Sequence, residues 1–360
     1  MKLGARILKT GVAIVIALLI SEALQLPNPV FAGISAIFAI QPSIYRSFRT
    51  IIEQIQGNII GAVVAVTFVL LFGHHTVFIG VAAIVIILIM LHFELEKSIS
   101  LALVTMIAIM EIQDDAFLNF ALLRFVTIVI GVLSAFVVNL LFFPPKYEVK
   151  LFRTIHFMQD EIIRWLRLAS RQASEHEAMR EALKKMKEDL EESEKLYKLF
   201  KEERALFQRN TIVKARKLVV YRQMLATSAS SYDLLKRLHQ YNNEMVKLPE
   251  HFQMMIQERM DTLLTYHEQL HLKFVGKLKD DTSHISDRED YIQRHEVMDI
   301  FMNEISLAKE DEQFSPYHLL HVLSSLLYYD EQLERLDTLI TVHQKHRTPK
   351  EYAELEKNIY

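Results

Sequence analysis

The sequence contains no cysteine. That excludes disulfides, thiol chemistry and any zinc or iron–sulfur site held by cysteine. Glycine is scarce too, 9 in 360 residues, and none falls into G-x-G-x-x-G or G-x-x-x-x-G-K-[ST], so a phosphate-cradling nucleotide loop is missing. There is no excess of one charge sign: 41 Lys+Arg against 44 Asp+Glu leave a formal charge of -3. A nucleic-acid partner would need a basic surface that this balance does not supply. The first apolar stretch lacks a small-residue cleavage site and runs on into further apolar segments, so no cleavable leader is expected. No Ser/His/Asp arrangement stands out, and neither an enzyme nor a cofactor is expected.

Charge is scarce in one part only. Residues 1–145 carry 14 charged side chains, about 10%, whereas residues 146–360 carry 71, about 33%. The split predicts two domains in two solvents: a membrane domain over 1–145 and a water-exposed domain over 146–360. Six apolar stretches occupy the first: Ile7–Leu26, Val30–Ile40, Ile51–Phe72, Val77–Leu91, Ser98–Ile112 and Phe117–Phe143. A lone helix needs roughly 20 apolar residues to cross a bilayer core. The second stretch is too short and ends at Gln41-Pro42, which makes it a broken span or a re-entrant segment. With six crossings and a cytoplasmic N-terminus, Lys2, Arg6, Lys9, Arg46, Arg49, Lys97 and Lys146 all fall on the cytoplasmic side. The outer connections Pro27–Pro29, Gly73–His75 and Gln113–Ala116 contain no Lys or Arg. This positive-inside pattern selects six spans with both ends in the cytoplasm. If the second stretch did not cross, Arg46 and Arg49 would face outward.

Beyond Pro144-Pro145, which end the sixth span at a hinge, apolar residues recur at helical spacing. Leu151, Ile155, Met158, Ile162 and Trp165 mark one helix. Met179, Leu183, Met186, Leu190, Ser193, Tyr197 and Phe200 alternate steps of 4 and 3, as in a coiled-coil seam. Further helices are expected over Thr211–Pro249, Pro249–Gly276, Tyr291–Leu307 and Pro316–His343, with a polar loop over Lys279–Asp290. The fold expected is therefore all-α: a polytopic membrane domain of six transmembrane helices followed by a cytoplasmic helical bundle.

Polar groups inside apolar segments are functional suspects. Glu22 and Arg124 both fall in the outer half, where they can pair, line a path, or simply snorkel to head groups. Glu53, Gln54, Gln56 and Asn58 crowd the start of the third span beside Gln41. They are expected to face the bundle interior or a vestibule, unless Glu53 and Gln54 still lie in the interface. Arg49 and Glu53 are spaced to pair across one turn. Gly57 and Gly61 form a G-x-x-x-G packing face. Lys146, Lys150 and Arg153 lie a turn apart below the membrane, placed to touch anionic head groups or to be a plain solvated face. Glu268 and His271 form a single E-x-x-H; a bundle metal site needs two such pairs, so no metal is expected.

The stretch from Ala32 to Ala65, AGISAIFAIQPSIYRSFRTIIEQIQGNIIGAVVA, resembles the aromatic acid exporter family within the fusaric-acid-resistance-like membrane proteins. The resemblance lies in the short second span ending at Gln41-Pro42, the basic turn at Arg46 and Arg49, and the opening Gly57-Asn58-Ile59-Ile60-Gly61. One departure is that Gln54 and Asn58 stand where many relatives carry Arg and Thr. Larger relatives join two modules in one chain; this chain has one, so the resemblance implies a homodimer or higher homo-oligomer. It also implies efflux of small anionic aromatic or amphipathic carboxylates across the cytoplasmic membrane, driven by the proton gradient. On that reading Arg46, Arg49 and Arg124 attract the anion, Glu22 or Glu53 takes the proton, and Gln41, Gln56 and Asn58 are neutral partners. An acidic outer loop, Glu111 with Asp114 and Asp115, disfavours return of the anion. The rival is a membrane-anchored scaffold or sensor whose large charged tail binds a partner.

Overall fold

The structure, a computed structural model, describes residues 2–112, 117–141, 147–203, 211–278, 294–308 and 316–345. Among these, helices are the sole regular structure and no strand occurs. The chain divides into two compact units, 1–145 and 146–360.

The first unit contains α1 (Lys2–Ala23), α2 (Val30–Ala39), α3 (Ile44–Phe72), α4 (Thr76–His92), α5 (Ile99–Met110) and α6 (Phe117–Leu141). Proline sets the short length of α2. Pro29 occupies its N-cap, and at the other end Ile40, which precedes the Gln41-Pro42 break, is already extended. Ser43 then restarts the helix, its hydroxyl accepting from the Arg46 N–H at 3.1 Å. Gly73, at φ 68°, ends α3.

Helix directions alternate. Lys9 at the start of α1 bonds Asn139 at the end of α6, so these two run antiparallel. Ala32 faces Gly131, and the Gln41 carbonyl meets Asn139, so α2 and α6 run parallel. Gly57 lies beside Ser98, Gly61 against Ala102, and His74 beside the Met110 carbonyl, so α3 and α5 run parallel. Phe72 stacks on Phe78 across the α3–α4 turn. Arg6, Lys9, Arg46, Arg49 and Lys97 consequently sit at helix ends and turns on one side of the unit.

Two small cores result. α1, α2 and α6 meet through Ala13, Ala17, Ala32, Ala36 and Ala39 with Val132 and Ala135. α3, α4 and α5 meet through Ala65, Ala82, Ile86, Met90, Ala102 and Met106. Large side chains point the other way: Leu70, Leu141, Val77 and Leu88 are all more than 60% exposed. Small residues inside and large apolar residues outside is the arrangement of helices packed in an apolar medium. The expectation of six independent spans is met only in part. Ile44–Phe72 and Leu118–Leu141 are long and apolar enough to cross alone, whereas Val30–Ala39 and Thr76–His92 are apolar but shorter. At 1.5 Å per residue the ten residues of α2 cover only about 15 Å, and basic residues occupy the first turns of α1.

The second unit contains α7 (Tyr147–Ser170), α8 (His176–Glu203), α9 (Thr211–Gln240), the short α10 (Asn242–Val246), α11 (Glu250–Val275), α12 (Arg294–Ala308) and α13 (Pro316–Gln344). The expected helix over Thr211–Pro249 is broken at Tyr241 into α9 and α10. The α8 seam is turned inward, with Met179, Met186 and Ser193 fully buried, and α8 packs on α7 and α9. α9 and α7 form the middle of the bundle, and α13 lies along α9. Pro144, Pro145 and the loop Lys279–Asp290 lie outside the described residues.

Candidate functional site

Each polar residue of the first unit is placed by its position on the helix wheel. Gln54, Asn58 and Gly61 share the inward face of α3; Gln56, about 200° from Gln54, is on the outward face and exposed. The expected inward cluster of four is therefore two buried residues, a half-buried Glu53 and an outward Gln56. Asn58 donates to the Gln54 carbonyl at 2.8 Å and accepts from the Thr105 hydroxyl of α5. Gly57 and Gly61 let α5 come close enough for this: a Cβ on Gly61 would lie 2.6 Å from the Ala102 carbonyl oxygen. This is a bonded joint between α3 and α5, with only Gln54 Oε1 unpartnered.

Arg124 is different. It is 2% exposed. One terminal nitrogen donates to the Val104 carbonyl at 3.0 Å, and the guanidinium carbon lies 3.7 Å from the centroid of the Phe31 ring. Nε and Nη1 have no partner among the described residues. The pairing with Glu22 allowed by the sequence does not occur. Glu22 is exposed on α1, about 100° around from the inward Ser21, while Arg124 faces α2 and α5.

A third polar point joins the far ends of α1 and α6. The Lys9 ammonium donates to Asn139 Oδ1 at 3.1 Å, and Asn139 donates to the Gln41 carbonyl at 3.2 Å. The Gln41 side chain itself turns back to the Phe38 carbonyl at 3.3 Å. Arg46 is exposed, and Arg49 is exposed and paired with Glu53 at 2.7 Å. Glu111 is exposed, and Asp114 and Asp115 lie outside the described residues.

Sequence reasoning missed Phe31, Thr105 and Asn139. Phe31 and Asn139 look like ordinary members of apolar runs, and their partners stand 93 and 130 positions away. It also read Lys9 only as a topology marker.

In the second unit, Lys150 pairs with Glu192 at 3.5 Å, Arg153 is exposed, and Lys146 lies outside the described residues. Glu268 and His271 do not converge: Glu268 pairs with Arg167 at 2.8 Å. His271 is buried 6.1 Å from the Phe152 ring, beside His267 and His156. Burial pushes His267 down to about 3 and His271 well below its ordinary value, with the neighbouring histidines adding to the second shift. No group of three or more His, Asp or Glu able to hold a metal occurs among the described residues. The strongest polar system is a ladder between α11 and α13. Arg259 bonds Asp330 at 2.6 Å, Tyr266 and Lys273 each donate to Asp337 at 2.8 Å, and Gln344 donates to the Lys273 carbonyl.

The profile of the fusaric acid resistance protein family matches residues 97–357, and that of aromatic acid exporter family member 1 matches residues 1–142. UPF0421 protein YgaE of Bacillus subtilis is 47% identical over 344 residues, which is 96% of this chain and 96% of that protein. A UPF0421 protein of Staphylococcus saprophyticus is 32% identical over 172 residues, 47% of this chain and 52% of its own. One from Oceanobacillus iheyensis is 28% identical over 160 residues, 44% and 46% of the two chains. The first profile spans well over half of the chain, and the B. subtilis relative aligns along nearly all of it. The chain therefore belongs to the fusaric acid resistance protein family of membrane proteins, with an aromatic acid exporter module at its start.

Proposed function

We propose that the protein exports small aromatic or amphipathic carboxylates across the cytoplasmic membrane, using the proton gradient. In this reading the six helices of the first unit cross the bilayer, the N-terminus and the helical tail are both cytoplasmic, and two copies associate. Alternating helix directions and the gathering of basic residues on one side support the topology. An exposed Gln56 between the exposed Ile52 and Ile59 supports association, since an amide in lipid gains from a partner.

The observation that carries the reading is Arg124. A guanidinium inside an apolar unit, with two unpartnered nitrogens and a ring stacked against it, is costly unless something anionic uses it. A carboxylate offers the matching fork of acceptors, and the half-buried Phe31 beside it gives an attached aromatic ring an apolar neighbour. Glu53 is the nearer candidate for the proton, being half-buried, whereas Glu22 is exposed.

The test is accumulation. A deletion strain should accumulate at least one member of a panel of aromatic carboxylates, and the wild-type gene should reverse this. Arg124→Ala should restore no more than the empty vector. If no panel member accumulates in the deletion strain, the exporter reading fails; if Arg124→Ala exports normally, the site is wrong. A reporter fused after Lys150 should read cytoplasmic.

A further inference from the structure

The unpartnered polar atoms of the first unit are unevenly spread. In the α3–α5 joint, Asn58 and Thr105 satisfy each other, and Gln54 Oε1 is its one unpartnered atom among the described residues. Where α1, α2 and α6 meet, Ser21 Oγ and Ser35 Oγ are fully buried and have no partner among the described residues, as is true of Nε and Nη1 of Arg124. A serine in a helix ordinarily bonds back to the preceding turn, as Thr127 does to Leu123 at 2.8 Å. Buried hydroxyls that forgo this bond call for an explanation.

The same seam has a second peculiarity. α6 presents Arg124, Thr127, Gly131 and Ser134 along one stripe, at steps of 3, 4 and 3. The facing side chains of α1 and α2 are small, Ala13 and Ala17 opposite Ala32 and Ala36. A cation stands at each end, Arg124 at one and Lys9 with Asn139 at the other. The fifteen residue steps along α6 from Arg124 to Asn139 span about 22 Å, most of a bilayer core. Between the two ends the seam is shut: a Cβ on Gly131 would lie 2.1 Å from the Ala32 carbonyl oxygen.

We propose that the α1–α2–α6 seam is the path of the anion, with Lys9 and Arg124 as its two cationic stations and the Gly131–Ala32 contact as the closure between them. The proposal rests on the exporter reading and narrows it, moving the path away from the polar start of α3. At the cytoplasmic station a carboxylate outcompetes the Asn139 amide for the Lys9 ammonium, because a charged acceptor makes the stronger bond. Ser134 and Ser35 offer hydroxyls along the way. α2 is the piece that moves: it is ten residues long and is bounded by Pro29 and Pro42, so it can shift as one body when Ala32 leaves Gly131.

The native chain has no cysteine, which allows a test that needs no identified substrate. Single variants Thr127→Cys and Ser134→Cys sample the seam, and Thr105→Cys samples the α3–α5 joint; each is a near-isosteric change. The full-length protein in phosphatidylethanolamine–phosphatidylglycerol vesicles is treated with an anionic methanethiosulfonate. Expected is modification of both seam positions at least about tenfold faster than at Thr105→Cys, with Lys9→Gln slowing the reaction of Ser134→Cys several-fold. Seam positions that stay unmodified, or a Thr105→Cys variant that reacts as fast as they do, would overturn the proposal. Fast seam labelling in a protein that moves no carboxylate would sink the substrate class and leave the path standing.

Discussion

Gly131 and Gly11 are both single glycines in apolar helices, yet they have opposite surroundings. Added atoms at Gly131 run into the Ala32 backbone, while nothing lies within 4 Å of a Cβ built at Gly11. Gly131→Ala should therefore destabilise the first unit by about 1–3 kcal/mol through forced separation of α2 and α6. Gly11→Ala should be neutral or slightly stabilising. Thermal unfolding of the two variants in the same detergent checks this, and equal midpoints would contradict it. The α3–α5 joint makes a related prediction. Thr105→Val leaves the buried Asn58 oxygen without its donor and should cost about 1–3 kcal/mol, with much of the loss recovered when Asn58→Leu is added. At this scale the sequence was partly legible. A lone arginine in an apolar run singled out Arg124, and the four-residue step from Gln54 to Asn58 put both on one helix face. The same period separates Gln56 from them, a rotation that reading the four residues as one cluster overlooked. Asn139 and Phe31 carry no local mark, because their roles depend on residues far along the chain.

Among elements, α11 and α13 show how a bundle chooses its register. The pairs Arg259–Asp330, Tyr266–Asp337 and Lys273–Gln344 are each 71 positions apart, so the two helices run parallel and in step at intervals of seven. Such buried polar rungs add little net stability over apolar ones, but a slip of one turn would leave several charges unpaired. Asp337→Leu should destabilise the tail by about 3–5 kcal/mol, because the Lys273 ammonium and the Tyr266 hydroxyl both lose the carboxylate they donate to; adding Lys273→Met and Tyr266→Phe together should recover most of it. Urea unfolding followed by Trp165 fluorescence reads this directly. Trp165 is the single tryptophan and is packed against the tail core. Helix periods placed most tail elements correctly, whereas the break at Tyr241 and the parallel pairing of α11 with α13 were not legible. A heptad pattern shows which face is used and not which distant helix will meet it. In the first unit, proline marked both ends of α2, and its length follows from them.

For the molecule as a whole, the low charge of residues 1–145 is expressed as a unit whose large apolar side chains face outward, and the charged remainder as a bundle with its own core. The bundle responds to pH through its buried histidines. His267 and His271 are neutral in the folded tail and hold protons near pH 6.5 only when unfolded. Their contribution is thus complete above pH 6.5 and is lost as pH falls below it, by about 1.4 kcal/mol per unit for each group. Burial raises Asp160, which acts in the opposite sense in the carboxylate range. Between pH 7 and pH 5 the two histidines should lower tail stability by about 4 kcal/mol, and an unchanged urea midpoint of Trp165 fluorescence would refute this. The central claim, that the apolar unit carries aromatic carboxylates past Arg124, is most directly tested by flux. Vesicles containing the purified protein are loaded with labelled benzoate and given a pH gradient, and release is timed. The account predicts gradient-dependent release by the wild type that falls at least about tenfold in Arg124→Ala; release that is absent in the wild type across the carboxylate panel, or equal in the two proteins, would contradict it.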